Sequence, residues 1–315
     1  MNIQSIGKST IGQRNPSTLT AAGCQFNLRS TGQPLQVLSE ADWLCWRQRG
    51  YVLVKQAVPK ELLVKLEALV WRFEGLDPGN SANWYPQHRL QRMQTELSFN
   101  AGMIELYHHQ HLWDARQSPR VHGAFSDIWG TEQLWVSLDR MNFNLPMQPG
   151  FEFKSFMHWD YDPLSETPHV QGVLAVNDQT DAQVGGFVFI PNLFADFSSW
   201  HRQQASDWDW YRPDVANLEH EQIPLEQGDL LIFNSKLCHG VKPNRSKDKV
   251  RIAQYIAMLP AQPHDYELRD WRVRSWREGL APKGYSLHGE AFEQFQQASA
   301  QLSPLGEKLL GLKPW

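Results

Sequence analysis

The chain has 315 residues, enough for one large β domain with helical additions or for two ordinary domains. Hydrophobic residues make up 41% and charged residues 20%, a balance that builds a folded core and excludes a disordered chain. The net charge of -4 gives no electrostatic attraction to nucleic acid or to an anionic membrane, so neither is expected as a partner, while a small-molecule ligand held by one buried cation stays open.

Residues 1–38 are rich in Ser, Thr, Gly, Gln and Asn and are expected to form an extended arm without an apolar core of signal-peptide length. Ser39 then stands as a cap ahead of a helix running through Trp46 and Arg47, which Gly50 ends. Tyr51–Val54 reads as a short strand, and Pro59 opens a helix with Leu62, Leu63, Leu66, Leu69 and Val70 on one face. The stretch 77–120 is irregular or helical. From Gln133 the pattern turns to strands, at 134–138, 141–145, 151–159, 170–176, 186–190, 230–233 and 252–258, with a Pro/Gly turn at 146–150. Short strands with turns between them indicate a β-sandwich or jelly roll with flanking helices, an α+β mixture dominated by β structure. After Pro260 the chain is charged and helical and ends in an amphipathic segment at 302–312.

No run of about 18 apolar residues occurs, so no membrane span is expected. Cys24, Cys45 and Cys238 are odd in number and far apart, which points to a reducing cytoplasm rather than a disulfide framework. The chain has 14 Trp, and core packing is the first reading for each of them. Trp113, Trp129 and Arg140 are also candidate pocket residues.

The stretch Phe156-Met157-His158-Trp159-Asp160 carries the chemistry. Residues i and i+2 of a strand share a face, so His158 and Asp160 can offer an imidazole nitrogen and a carboxylate oxygen to one ion while Trp159 faces away. His239, just after the strand at 230–233, supplies a third ligand. Two His and one carboxylate form the facial triad that leaves positions open on non-haem iron(II). A bare His-x-Asp arises often by chance. Here it is supported by the distal His and by Arg251, which opens the next strand and whose guanidinium can grip a carboxylate through two parallel hydrogen bonds.

Other clusters are weaker. Adjacent histidines on a helix diverge by about 100°, so His108, His109 and His111 read as packed or solvated. Cys238 resembles a small apolar residue more than a nucleophile. Tyr161 and Asp162 either line the mouth of the site or belong to a solvated loop.

Four motifs in order resemble the phytanoyl-CoA dioxygenase family. They are Gly50-Tyr51-Val52-Leu53-Val54 with Pro59-Lys60-Glu61-Leu62, then the His158/Asp160 motif, then Gly185-Gly186-Phe187-Val188-Phe189-Ile190-Pro191, and then Gly228-Asp229-Leu230-Leu231-Ile232-Phe233 with His239-Gly240, Asn244 and Arg251. The resemblance covers roughly residues 40–260. It implies a double-stranded β-helix (jelly roll, cupin-like), with Fe(II) as cofactor and 2-oxoglutarate and O2 as cosubstrates. His158, Asp160 and His239 would then be the iron ligands, and Arg251 would bind the distal carboxylate of 2-oxoglutarate. The expected organisation is one oxygenase domain over 39–315, its β-helix core at about 133–260 and helical additions at 39–130 and 261–315.

Two departures from the family pattern stand out. Val241 replaces a frequent Ser, and Leu145 occupies the place where some members carry Lys. Both remove polar contacts to the cosubstrate, and Asn142 and Asn144, alternating on one strand and facing the same way, are the candidates to replace them. Radical halogenases of the superfamily have Gly or Ala in place of the carboxylate, so Asp160 leaves no vacancy for chloride. The reaction implied is hydroxylation of an unactivated carbon of a small metabolite or natural-product intermediate, releasing succinate and CO2, by a monomer or homodimer. The alternatives are desaturation or cyclisation by the same fold, or a non-catalytic cupin-like protein that binds a metal or small molecule.

Overall fold

The structure, a computed structural model, describes residues 34–85, 102–149, 156–165, 169–281 and 299–315. Most of the expected amino-terminal arm, Cys24 and residues 151–155 of one expected strand lie outside them. Residues Gln36, Val37 and Leu38 are tied down by their N–H groups, which all donate to the Asp127 carboxylate.

Ser39 starts the first helix as its sequence position suggests. Its hydroxyl accepts from the Asp42 N–H while the Asp42 carboxylate accepts from the Ser39 N–H, a capping box for α1 (Glu40–Arg49). Gly50 ends that helix at φ 77°, and a Cβ there would come 2.6 Å from the Phe194 ring, so only glycine fits. The chain passes straight into β1 (Tyr51–Val54) and then α2 (Lys60–Glu74), which buries Leu63, Leu66, Leu69 and Val70. Helices α3 (Gln110–Arg116) and α4 (Pro119–Trp129) follow.

The six-stranded antiparallel sheet joins β1 to β2 (Met103–Ile104), β4 (Met141–Asn144), β5 (Val170–Ala175), β8 (Leu230–Asn234) and β10 (Arg251–Tyr255), in the order β1-β8-β5-β10-β4-β2. A second sheet places β6 (Gly186–Phe189) between β7 (Glu221–Gln222) and β9 (His239–Lys242). A third pair joins β3 (Leu134–Val136) to β11 (Met258–Pro260).

Alternation along the strands builds two cores. Val173, Ala175, Leu231, Phe233 and Ala253 of the large sheet pack with Phe187 and Phe189 of the small one. Their neighbours Leu174, Ile232, Ile252 and Phe143 face the other way, onto Leu66, Leu69, Phe125 and Ile128 of the helices. The two-sheet stack is the expected jelly roll. Because β8 is buried on both faces, its sequence is an unbroken apolar run rather than an alternating one.

Besides adding the short strands β2 and β9, the structure departs from the sequence pattern in three places. Residues 156–159, expected as strand, contain only an isolated β-bridge at His158, paired with His239. Instead of lying on a sheet, Trp159 inserts among Phe197, Trp200 and Trp208. Those residues belong to the segment between β6 and β8, where the sequence pattern assigned nothing and the structure has α5 (Pro191–Ala195), α6 (Phe197–His201) and β7. The strand expected at 252–258 is split into β10 and β11, with the Ala257 N–H donating to the Ser137 hydroxyl at the break.

Downstream lie α7 (Tyr266–Glu278) and α8 (Pro304–Leu310). The buried Arg272 of α7 donates to the carbonyls of Leu309, Leu310 and Val136, satisfying the C-terminal end of α8 with a cation. No helix among the described residues is long and apolar enough to cross a membrane.

Candidate metal centre

His239 is the first residue of β9, and His158 is its bridge partner. The two exchange both backbone bonds, His158 N–H to His239 O at 2.8 Å and His239 N–H to His158 O at 3.0 Å. Directly opposed residues of an antiparallel pair project to the same side, and the two imidazole centroids stand 4.7 Å apart. Each Nδ1 lies against the carbonyl two residues earlier, at 3.0 Å for His239 and Leu237 and at 3.4 Å for His158 and Phe156. A carbonyl only accepts, so each Nδ1 donates its proton there, and Nε2 is the nitrogen that faces the site.

Asp160 completes the cluster, with Oδ1 3.3 Å from His158 Nε2 and Oδ2 3.5 Å from His239 Nε2. Burial pushes its carboxyl up, but contacts with His158 and His239 outweigh burial and hold it well below the usual carboxylate range. One ligand atom from each of the three side chains lies within 4.8 Å of the others. Adjacent corners of an octahedron with bonds of about 2.1 Å are about 3 Å apart, so these donors fit one face of a six-coordinate cation. The donor set, two imidazoles and one carboxylate, is the set suited to iron(II) with exchangeable positions left open. Among the described residues no other group of three such side chains converges.

A second feature lies across β6. Arg251 opens β10 opposite Asn144 of β4, with Asn142 two residues along. Arg251 is 1% exposed. Nε donates to Gln179 Oε1 at 2.9 Å, and Nη1 donates to Asn142 Oδ1 at 2.5 Å and Asn144 Oδ1 at 3.1 Å. Gln179 is itself anchored on the Ile252 carbonyl. Burial lowers the Arg251 pKa, while Tyr255 works in the opposite direction. The amides that hold the guanidinium are neutral, so it is a buried cation that a ligand carboxylate would complete. One strand links it to the metal cluster. A Cβ on Gly186 would lie 3.7 Å from Arg251 Nε, and the next residue, Phe187, stacks its ring on His239 at 5.5 Å.

His158, Asp160 and His239 thus converge, and Asn142 and Asn144 meet at Arg251. Val241, in the family's Ser position, lies opposite Phe187, and Leu145 packs on the main core. Trp113 and Trp129 are corrected from candidate pocket residues to core residues; the indole of Trp129 donates to the Met258 carbonyl. Arg140 is buried against the Tyr107 ring. Tyr161 stacks on His169 at 3.7 Å, and Asp162 accepts from the Leu164 N–H in a turn. Burial pushes the Cys238 thiol up, which suits a small core residue. His108 is packed, its Nε2 near Ser275 Oγ and the Leu280 carbonyl at 3.0 Å each.

Two neighbours of the cluster escaped the sequence reading. Gln171 Nε2 donates to Asp160 Oδ2 at 2.6 Å. The available signal was a polar residue in phase with Val173 and Ala175 on the inward face of β5. The Tyr211 ring lies 5.7 Å from that of His158 and 5.6 Å from that of Phe156. It comes from the segment beyond α6, where periodicity gave no signal.

Comparison with known proteins follows the same lines. The family model for phytanoyl-CoA dioxygenase matches residues 46–253. The Ava biosynthesis cluster protein O of Aspergillus versicolor is 26% identical over 247 residues, which is 68% of this chain and 77% of that protein. A Dictyostelium discoideum protein named for phytanoyl-CoA dioxygenase is 22% identical over 46% of this chain and 52% of its own length. In three dimensions, a hypothetical protein of Escherichia coli superposes with a TM-score of 0.62 at 15% identity, covering 87% of this chain and 81% of that one, which shows a shared fold.

Proposed function

Because the chain belongs to the phytanoyl-CoA dioxygenase family of iron(II)- and 2-oxoglutarate-dependent enzymes, we propose that it hydroxylates an unactivated carbon of a small natural-product intermediate or metabolite, with succinate and CO2 as co-products. The observation that carries the reading is the convergence of His158, Asp160 and His239 on one point. These three would hold the iron, and Arg251, steadied by Asn142 and Asn144, would bind the far carboxylate of 2-oxoglutarate.

When bound, iron(II) with 2-oxoglutarate and dioxygen supplies the oxidant that removes hydrogen from a C–H bond. The rest is the work of the chain. The carbonyls of Leu237 and Phe156 keep a proton on each Nδ1, so both Nε2 atoms stay available as ligands. Asp160 would contribute the negative charge of the ligand set, and a retained carboxylate leaves no vacancy for chloride, which favours hydroxylation over halogenation. Arg251 is orientated before any ligand arrives, because three amide oxygens fix its plane. Phe187 and Tyr211 set aromatic surface against the two imidazoles and limit water there.

The relative named for a biosynthesis cluster supports a natural-product substrate. A reducing, cytoplasmic setting goes with the free thiols of Cys45 and Cys238. The experiment supplies anaerobic Fe(II)-loaded protein with 2-oxoglutarate and candidate substrates, then admits labelled dioxygen. Succinate and a product carrying one labelled oxygen atom are expected. Desaturation or ring closure would give product without the label, and absence of succinate under every condition rejects the assignment.

A further inference from the structure

Asp160 has two oxygens, and the contacts around it do not treat them alike. Oδ1 faces His158, whereas Oδ2 faces His239 and also accepts the Gln171 amide hydrogen at 2.6 Å. A carboxylate only accepts, so the Gln171 amide must present its nitrogen to Asp160. That orientation leaves Gln171 Oε1 buried, with no hydrogen-bond partner among the described residues. An amide with an unmatched buried oxygen gains little for the fold compared with an apolar side chain of the same length. Among the described residues, the bond to Asp160 is the hydrogen bond this side chain makes.

We propose that Gln171 is a positioning residue of the metal centre: by occupying Asp160 Oδ2 it holds the carboxylate to one-oxygen ligation through Oδ1, which keeps the remaining coordination positions open for cosubstrate. Three features of the fold support this. Gln171 sits on β5, in register with Phe233 of β8, so its backbone is held inside the large sheet rather than on a loop. Its side chain shares the inward face with Val173 and Ala175. Asp160, by contrast, lies outside any strand and needs an external contact to fix its carboxylate plane. A carboxylate free to swing could chelate through both oxygens and take up a further position.

The proposal rests on His158, Asp160 and His239 being the ligands, and the test separates the two. Metal-free protein is titrated with Mn(II), the free ion being followed by electron paramagnetic resonance, for wild type, Gln171→Met, Gln171→Glu and Asp160→Ala. Co(II) absorption reports the coordination of each, and the melting temperature of each metal-free form is measured. Gln171→Met and Gln171→Glu are expected to shift the Mn(II) dissociation constant about tenfold or more and to alter the Co(II) spectrum. Metal-free Gln171→Met is expected to melt no lower than wild type. Wild-type affinity and an unchanged Co(II) spectrum in both Gln171 variants would overturn the proposal while leaving the ligand assignment intact if Asp160→Ala loses binding. A lowered melting temperature in both variants with an unchanged Co(II) spectrum would also overturn it, as the mark of a structural role. Wild-type affinity in Asp160→Ala would remove the ligand assignment and this proposal with it.

Discussion

His158 and His239 are joined through their backbones before any ion joins them through their side chains. Each donates its N–H to the other's carbonyl, at 2.8 and 3.0 Å. The spacing of the two imidazoles is therefore a property of the β-bridge. Gly240, next in the chain, permits it: a Cβ there would fall 2.7 Å from the Phe156 carbonyl oxygen and 3.1 Å from Met157 Sδ. Gly240→Ala should push the two segments apart, lower the melting temperature and weaken Fe(II) or Mn(II) binding at least about tenfold, as loss of an orienting contact does. Equal metal affinity in Gly240→Ala would show that the bridge does not set the ligand spacing.

Between His158 and Asp160, Trp159 is fully buried and its indole donates to the Lys236 carbonyl at 3.0 Å. Trp159→Ala should cost about 3–5 kcal/mol of unfolding free energy, as large-to-small changes in a packed core do. Trp159→Phe, which keeps most of the ring area, should cost less. Denaturant unfolding measures both, and a loss below about 1 kcal/mol for the alanine variant would contradict an anchoring role.

Arg251 and its asparagines differ in weight. Asn142 is fully buried and makes the shorter bond, 2.5 Å against 3.1 Å for Asn144. Asn142→Ala should therefore weaken 2-oxoglutarate binding more than Asn144→Ala. Arg251→Lys keeps the charge but loses the planar fork, and should raise the dissociation constant for 2-oxoglutarate by about 10- to 100-fold. Calorimetric titration of the metal-loaded variants ranks them, and the reverse order of the two asparagines would count against this placement of the cosubstrate.

Acid sensitivity should trace in part to His108. Burial, reinforced by the positive charge of Arg116, lowers its pKa to about 3 in the folded protein, against about 6.5 in an unfolded chain. Between those values the unfolded state binds a proton that the folded state does not, so stability rises with pH. The contribution is complete above about pH 6.5 and is lost as pH falls toward about 3, with a slope of up to about 1.4 kcal/mol per pH unit. His109, lowered to about 4 chiefly by burial, acts in the same direction. Unfolding of the chelator-treated protein between pH 5 and 8 should show this slope, and His108→Gln should flatten it. Parallel curves for the two proteins would contradict the assignment.

Much of this architecture was legible in the residues themselves. Ser39, Gly50 and Pro59 punctuate the amino-terminal helices where the structure has their ends, because caps and glycine turns act locally. The unbroken apolar run of β8 is likewise written in side-chain type. Strand periodicity points to His158 and Asp160 as a candidate ligand pair, although residues 156–160 hold only a bridge. Its two members still converge because the pairing with His239 and the burial of Trp159 fix His158 and the turn after it. What could not be read was anything set by contacts between distant segments. The role of Gln171 exists only where β5 passes Asp160, and Tyr211 reaches His158 from a segment without periodicity.

The account depends most on one small molecule needing both halves of the site. Isothermal titration of 2-oxoglutarate into anaerobic Fe(II)-loaded protein, metal-free protein, Asp160→Ala and Arg251→Lys measures this directly. One equivalent should bind to the loaded wild type, weakly or not at all to the metal-free protein and to Asp160→Ala, and with reduced affinity to loaded Arg251→Lys. Binding of equal strength with and without the ion, or no binding to loaded and folded wild type, would contradict a centre in which His158, Asp160 and His239 hold iron while Arg251 holds the far carboxylate.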